Sequence, residues 1–361
     1  MTPSAEEIDL EGILVRAEGG GPLTRKDILA LLSIRDRKEG EALFSAARRV
    51  RGRSTGGKVF LYGFVYLSTF CRNDCHFCSF RSSNSLAIRY RKTRDQVVRA
   101  ALELGESGVH LMDLTMGEDP RYLDEEGAEA LTTLVASVKS ATELPIMVSP
   151  GQVGREFLVS LRAAGASWYA CYQETHNRSL FKKIRPAQDF DARMEGKRMA
   201  REEGILTEEG ILLGMGESTA DISHSLQVMG EEETDQVRVM SLVPQEGTPF
   251  SNRRPGDPWL ELKTMAVMRL LFPDRLIPAS LDIAGLDGLR ERLDAGANVI
   301  TSLVPPGGGW AGVAQSRLDI REGRRTVASV LPVLEASGLE PGTRREYDGW
   351  MAERRKRLGR A

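Results

Sequence analysis

The chain is expected to fold as an α/β protein, a complete (β/α)8 TIM-type barrel with an N-terminal helical extension and a C-terminal helical tail. Three observations predict it. Eight short apolar, β-branched runs recur along the sequence, nearly every gap between them carries apolar residues at helical spacing, and Gly, Pro and polar clusters punctuate the two. Such alternation demands parallel strands joined by crossovers, and eight units in about 250 residues suit a closed barrel better than an open doubly wound sheet.

Residues 1–57 read as the helical extension: Leu23-Thr24 leads into a helix over Asp27–Ile34, and Glu41–Val50 forms a second, the pair making a small lid or plug. The barrel occupies residues 58–338. Its strands are expected at Val59–Tyr66, His110–Thr115, Pro145–Ser149, Ser167–Gln173, Glu209–Leu213, Gln236–Val243, Leu276–Leu281 and Asn298–Leu303, with helices such as Arg94–Glu106 and Glu125–Ala141 between them. Pro305-Pro-Gly-Gly-Gly309 reads as a flexible loop after the eighth strand. The remaining residues, 339–361, form a basic tail carrying Trp350, read as a solvated helix face rather than an RNA or partner contact.

With 361 residues, 41% hydrophobic and 28% charged, and a formal net charge of −2, the composition is that of an ordinary soluble chain. No positive field draws it to nucleic acid or anionic lipid, so small-molecule partners are expected. No apolar run approaches the ~20 residues a membrane-spanning helix needs. The opening Met1-Thr-Pro-Ser-Ala-Glu-Glu7 has no basic and apolar leader pattern, and the four cysteines do not form a secreted disulfide framework. A cytoplasmic location follows as an expectation.

Three of those cysteines carry the chemistry. Cys71, Cys75 and Cys78 lie within Cys71-Arg-Asn-Asp-Cys-His-Phe-Cys78, and three soft ligands in one loop suit an iron–sulfur cluster or zinc. A four-iron cluster held by three thiolates keeps one iron open for a substrate or cofactor. Zinc with His76 or Cys171 as fourth ligand is the structural alternative, although structural zinc usually takes two separated ligand pairs.

In a barrel of this kind the strand C-termini and the loops after them build the site. The cysteines follow the first strand. Asp113 and Met116-Gly-Glu-Asp119 end the second, Ser149 the third, Gln173 and Glu174 the fourth, with Glu217 just past the fifth, Ser280 and Asp282 at the seventh, and Thr301 and Ser302 at the eighth. For any one of these taken alone, the reading as a helix N-cap is favoured. Their gathering on the rim that bears the cysteines favours function.

Cys-x3-Cys-x2-Cys with Phe77 before its last cysteine resembles the signature of radical S-adenosylmethionine enzymes. Met116-Gly117-Glu118 is similar to the family's Gly-Gly-Glu element, with Met in place of the first Gly, and Gly210–Glu217 is similar to its Gly-x-Ile-x-Gly-x-x-Glu element, with Leu212 at the Ile position. From Leu31 to Gly338 the chain is most similar to methylornithine synthases, the lysine mutases of pyrrolysine biosynthesis. Asp113–Pro120, Tyr172-Gln-Glu-Thr175, Val237-Arg-Val-Met240, Pro244–Pro249, Leu276–Asp282 and Ala295–Ser302 carry that likeness.

The resemblance implies a [4Fe-4S] cluster on Cys71, Cys75 and Cys78, S-adenosylmethionine as cofactor, and a low-potential electron donor such as a flavodoxin or ferredoxin. Reductive cleavage gives a 5′-deoxyadenosyl radical that takes hydrogen from lysine, whose skeleton fragments and recombines to (3R)-3-methyl-D-ornithine. Phe77, Met116, Gly117, Glu118, Ser149 and Leu212 are implied to contact the cofactor. Glu174 would hold its ribose or ammonium end, and Arg193, with Arg185 as second candidate, its carboxylate.

For a diamino acid the pocket must supply opposite charges. Arg238 would take the carboxylate and Asp113 and Asp282 the ammonium groups, with Ser280, Thr301 and Ser302 completing the hydrogen bonds. The plain alternative for Arg238 and Asp113 is a structural ion pair with each other. Rival readings are a biotin-synthase-like or hydrogenase-maturase-like enzyme, and a zinc-stabilised RNA-binding protein. Tyr172 and Cys171, though placed to donate hydrogen, are assigned no catalytic role.

Overall fold

A computed structural model describes residues 9–305 and 324–359, and most of the loop expected at 305–309 lies outside them. Eight parallel strands run β6-β5-β4-β3-β2-β1-β8-β7: β1 Lys58–Ser68, β2 Leu111–Met116, β3 Ile146–Ser149, β4 Ala166–Ala170, β5 Leu206–Leu213, β6 Gln236–Ser241, β7 Pro278–Ser280 and β8 Val299–Leu303. The sheet curls into a nearly closed barrel. Its seam between β6 and β7 pairs only at the start, through Gln236 and Leu276, with Val237 N–H donating to the Leu276 carbonyl at 3.0 Å.

Period-two alternation sorts the strand side chains between two cores. Along β1, Phe60, Tyr62, Phe64 and Tyr66 join the cluster inside the barrel, while Val59, Leu61, Val65 and Leu67 join the cluster shared with the outer helices. The expected helix Arg94–Glu106 forms with those bounds, started by Thr93 and Gln96 in a reciprocal capping box. Glu125–Thr142 runs one residue past its expected end.

Two strands end before the site residues expected at their ends. The fourth stops at Ala170, and Glu174, at φ 66°, rejoins the sheet only through a bridge to Ile211. The seventh stops at Ser280, so Asp282 sits in the single-turn helix Leu281–Ala284 with Ser280 as its N-cap. The fifth begins at Leu206, three residues before its expected start.

The N-terminal helices Arg25–Leu32 and Arg37–Thr55 pack outside the barrel against the helix Pro258–Leu271, rather than over an end as a lid or plug. Phe44 meets Trp259 edge-on with ring centroids 5.3 Å apart, and Lys263 Nζ donates to the carbonyls of Leu32 (2.5 Å) and Ile34 (2.7 Å).

Closure of the barrel's N-terminal end falls instead to the C-terminal helix Arg344–Arg357. Tyr347 is fully buried and shares a 2.7 Å hydroxyl hydrogen bond with Tyr62, Trp168 Nε1 donates to Met351 Sδ at 3.3 Å, and Trp350 stacks on Trp168. Arg354 pairs with fully buried Asp235 at 2.8 Å. Only the face bearing Arg344, Arg345 and Arg357 is solvated, because the intervening apolar residues face the barrel's aromatic floor. Tyr347→Ala is expected to lower stability by about 3–5 kcal/mol in denaturant titration, as for other buried aromatic truncations; a change below about 1 kcal/mol would mean that the helix does not belong to the closing core.

Candidate active site

At the opposite end the strand C-termini surround one cavity of ≈ 250 Å³. Cys71, Cys75, Phe77 and Cys78 line it together with Asp113, Met116, Gly117, Glu118 and Ser149, and from the far side with Glu174, Arg185, Arg193, Leu212, Arg238 and Asp282. Ser280, Thr301 and Ser302 are buried behind that lining and support it.

Three backbone bonds hold the cysteine loop. Arg72 N–H donates to the Glu118 carbonyl (2.9 Å), His76 N–H to the Ile184 carbonyl (2.9 Å), and Phe250 N–H to the His76 carbonyl (3.2 Å). Gly117 is required there, since a Cβ at that position would stand 2.4 Å from the Phe70 carbonyl oxygen. Nitrogen donors address the sulfurs: Asn73 N lies 3.4 Å from Cys71 Sγ, and Arg185 Nη1 and Gln188 Nε2 lie 3.4 and 3.0 Å from Cys75 Sγ. Burial and the neighbouring cysteines push the Cys78 thiol up, and burial pushes Cys71 up as well, so a positive centre among the sulfurs would favour their thiolate forms. This donor set fits an iron–sulfur cluster, whose sulfurs accept such N–H groups. His76, the fourth ligand of the zinc alternative, packs its ring edge-on to Phe250 at 5.8 Å.

Next to the thiols stand two buried ion pairs, Glu118–Arg193 at 2.8 Å and Glu174–Arg185 at 2.9 Å. Both arginines also donate through Nη2 to the Tyr172 carbonyl, at 3.1 Å from Arg185 and 2.7 Å from Arg193. Burial raises the Glu118 carboxyl, but Arg193, Asn73 and Arg72 more than offset it and hold it below its ordinary value. For Glu174 burial prevails over Arg185, and its carboxyl is raised. Glu174 Oε2, Arg185 Nε and Arg193 Nε have no partner among the described residues. Buried polar atoms left over beside the thiols suit a polar, zwitterionic cofactor.

Deeper in the barrel Arg238 pairs not with Asp113 but with Glu208, at 2.6 Å. Its Nη1 donates to Thr301 Oγ1 at 3.1 Å, Tyr172 Oη donates to Glu208 Oε2 at 2.9 Å, and Arg238 Nη2 is buried without a partner among the described residues. Asp282 accepts from Arg325 (2.6 Å), Ser302 (2.7 Å) and Tyr66 (3.3 Å), so it is already partnered. Ser280 reaches Ser302 at 3.4 Å. Asp113 accepts only from Ser149 Oγ, at 3.3 Å. Among the described residues it is the one charged side chain of the lining without an ion pair.

Glu208 and Arg325 escaped the sequence reading for separate reasons. Glu208 stands one residue before the expected start of the fifth strand, where Thr207-Glu208-Glu209 reads as polar; carrying the alternation back from Leu212 and Gly210 turns it inward. Arg325 carries no local pattern in the sequence. Glu217, expected on the rim, instead accepts the N–H groups of Gly214, Met215 and Gly216 at 2.7–3.0 Å and shapes its own turn.

Residues 65–229 match the radical SAM superfamily. The chain is 42% identical over 329 residues to 3-methylornithine synthase of Methanosarcina barkeri, covering 91% of this chain and 93% of that one. A crystal structure of methylornithine synthase (PylB) superposes with a TM-score of 0.89 at 40% identity, covering 94% of this chain and 99% of that one. The [FeFe] hydrogenase maturase subunit HydE of Thermotoga maritima is 32% identical over 280 residues, 77% of this chain and 79% of that one. With the higher identity sustained across nearly the full length of both chains, this protein belongs to the 3-methylornithine synthase family of radical S-adenosylmethionine enzymes.

Proposed function

We propose that the protein isomerises lysine to 3-methylornithine in this cavity. The observation that carries the reading is that one cavity lining unites three cysteine thiols with Arg238, Asp113 and Asp282, the charges that a diamino acid requires. When bound, a [4Fe-4S] cluster on Cys71, Cys75 and Cys78 together with S-adenosylmethionine supplies a one-electron reduction and a hydrogen-abstracting carbon radical. The electron comes from a low-potential donor such as a flavodoxin or ferredoxin, and a reducing cytoplasm suits the four free thiols.

The chain's own residues bind, orient and exclude water. Glu174, Arg185 and Arg193 take the polar ends of the cofactor through their unpartnered atoms. Arg238 Nη2 takes the substrate carboxylate while Thr301 and Glu208 hold the rest of the guanidinium. Asp113 takes one ammonium group and the Asp282 carboxylate, steadied by Ser302 and Arg325, takes the other. The aromatic floor around Tyr62 shields the reacting carbons from solvent on the side of the barrel floor.

Anaerobically reconstituted protein given S-adenosylmethionine, a low-potential reductant and lysine is expected to form a chromatographically shifted isomer of lysine, read by mass spectrometry. Production of 5′-deoxyadenosine with lysine untouched would move the reading to a maturase-like enzyme acting on another small molecule. Cys75→Ala should lose both the brown iron–sulfur absorption and cofactor cleavage, and retention of either removes Cys75 from the ligand set.

Burial first, and then the charge of Glu208, push the Asp113 carboxyl well above its ordinary value; Arg238 and Ser149 do not offset them, and Asp282 adds to the rise. In the empty pocket the carboxyl therefore holds its proton over a range where an ordinary aspartate, with a pKa of about 4, is charged. Because an ammonium group needs the charged form, lysine affinity should strengthen as pH rises toward that elevated value. Asp113→Asn is expected to weaken lysine binding about 10–100-fold, the worth of one charged hydrogen bond, and to flatten this dependence. An unchanged pH profile in the variant would show that another group titrates.

A further inference from the structure

The cavity's charges balance in a way that singles out one residue. Glu118 with Arg193, Glu174 with Arg185, and Asp282 with Arg325 are matched pairs, and Arg238 would be an uncompensated cation deep in the barrel were it not for Glu208. Glu208 is fully buried, touches Arg238 through one oxygen and Tyr172 through the other, and is not itself on the cavity lining. With Arg238 neutralised, the one unmatched carboxyl or guanidinium group among the described residues of the lining is Asp113, which becomes a carboxylate when an arriving ammonium group displaces its proton. A pocket in that state accepts a ligand carrying one net positive charge at the least electrostatic cost. Lysine, with two ammonium groups and one carboxylate, is such a ligand.

We propose that Glu208 is a specificity-determining residue: by cancelling Arg238 it leaves Asp113 free to select a cationic amino acid over a neutral one of the same length. The inference rests on the reading of lysine as substrate. Glu208 touches no substrate and acts through two other residues. Arg238 still recognises the carboxylate that both kinds of ligand share, while the leftover negative charge discriminates at the far end of the chain. Tyr172 assists by donating to Glu208 and laying its ring 5.6 Å from the guanidinium, which limits the geometries open to the arginine.

The test compares binding of lysine with that of 6-hydroxynorleucine, a neutral analogue of equal length, to the cluster-loaded, S-adenosylmethionine-bound enzyme by competition or calorimetry. Wild type is expected to prefer lysine. In Glu208→Gln, which keeps the shape but removes the charge, that preference should fall at least about tenfold, since a unit charge at close range in a partly buried site is worth that much or more. Glu208→Asp should retain most of it. Equal weakening of both ligands in Glu208→Gln, with their ratio unchanged, would reduce Glu208 to a structural partner of Arg238 and overturn the proposal.

Removing one member of a buried ion pair costs far more than replacing both, so Glu208→Gln/Arg238→Gln provides the arm that remains if the single variant does not fold. This double variant keeps the net charge of the pocket. It should bind both ligands more weakly, for want of the carboxylate contact, yet still prefer lysine; loss of the preference overturns the proposal. A wild-type enzyme with no preference for lysine would instead defeat the substrate reading, leaving these variants with nothing to compare.

Discussion

A charge carried out of water into the barrel must find its opposite there, and that requirement organises the interior from floor to rim. The cost of an isolated buried ion is several kcal/mol even after relaxation, so the arginines lining the cavity each stand against a carboxylate: Arg193 on Glu118, Arg185 on Glu174, Arg238 on Glu208. The same rule operates at the other end, where Arg354 meets Asp235 and ties the last helix to the barrel floor. Every pair also spends hydrogen-bonding capacity, and what remains unspent, such as Arg238 Nη2 and Glu174 Oε2, marks where a bound molecule completes the set.

Pairing of this kind needs a dry enclosure, and the two ends of the barrel supply it differently. Below, Tyr62, Trp168 and Tyr347 interlock as a fully buried aromatic floor. Above, the cysteine loop is fastened to the end of β2, to the helix ending at Ile184 and to the loop carrying Phe250, so its thiols face a fixed cavity. A radical reaction at that position is shielded by the same packing that makes the ion pairs necessary. Enclosure and charge matching are two consequences of one geometry.

How much of this was legible beforehand differs between fold and site. The strand and helix order was readable because alternation in a strand and 3.6-residue spacing in a helix are properties of neighbouring residues, and the interior set Phe60, Tyr62, Phe64, Tyr66 follows from β1 alone. The cysteine loop was readable for the same reason. Asp282 was legible as a rim residue, but its partner Arg325, 43 residues further on, was not. The tail read as a solvated basic face because it is rich in arginine, yet Tyr347, Met351 and Arg354 share one side of the helix and are buried.

The sequence by itself determined the eight-unit α/β alternation, the three-cysteine loop and the rim on which chemistry collects, all of which are written in local spacing. Tertiary structure alone decided which carboxylate meets which arginine. Glu208 and Arg238 are 30 residues apart, Glu118 and Arg193 are 75, and Asp235 and Arg354 are 119. No periodicity links such positions. They become partners only when a closed barrel turns their side chains into the same enclosed, low-dielectric space, where an unmatched charge would be too costly to keep.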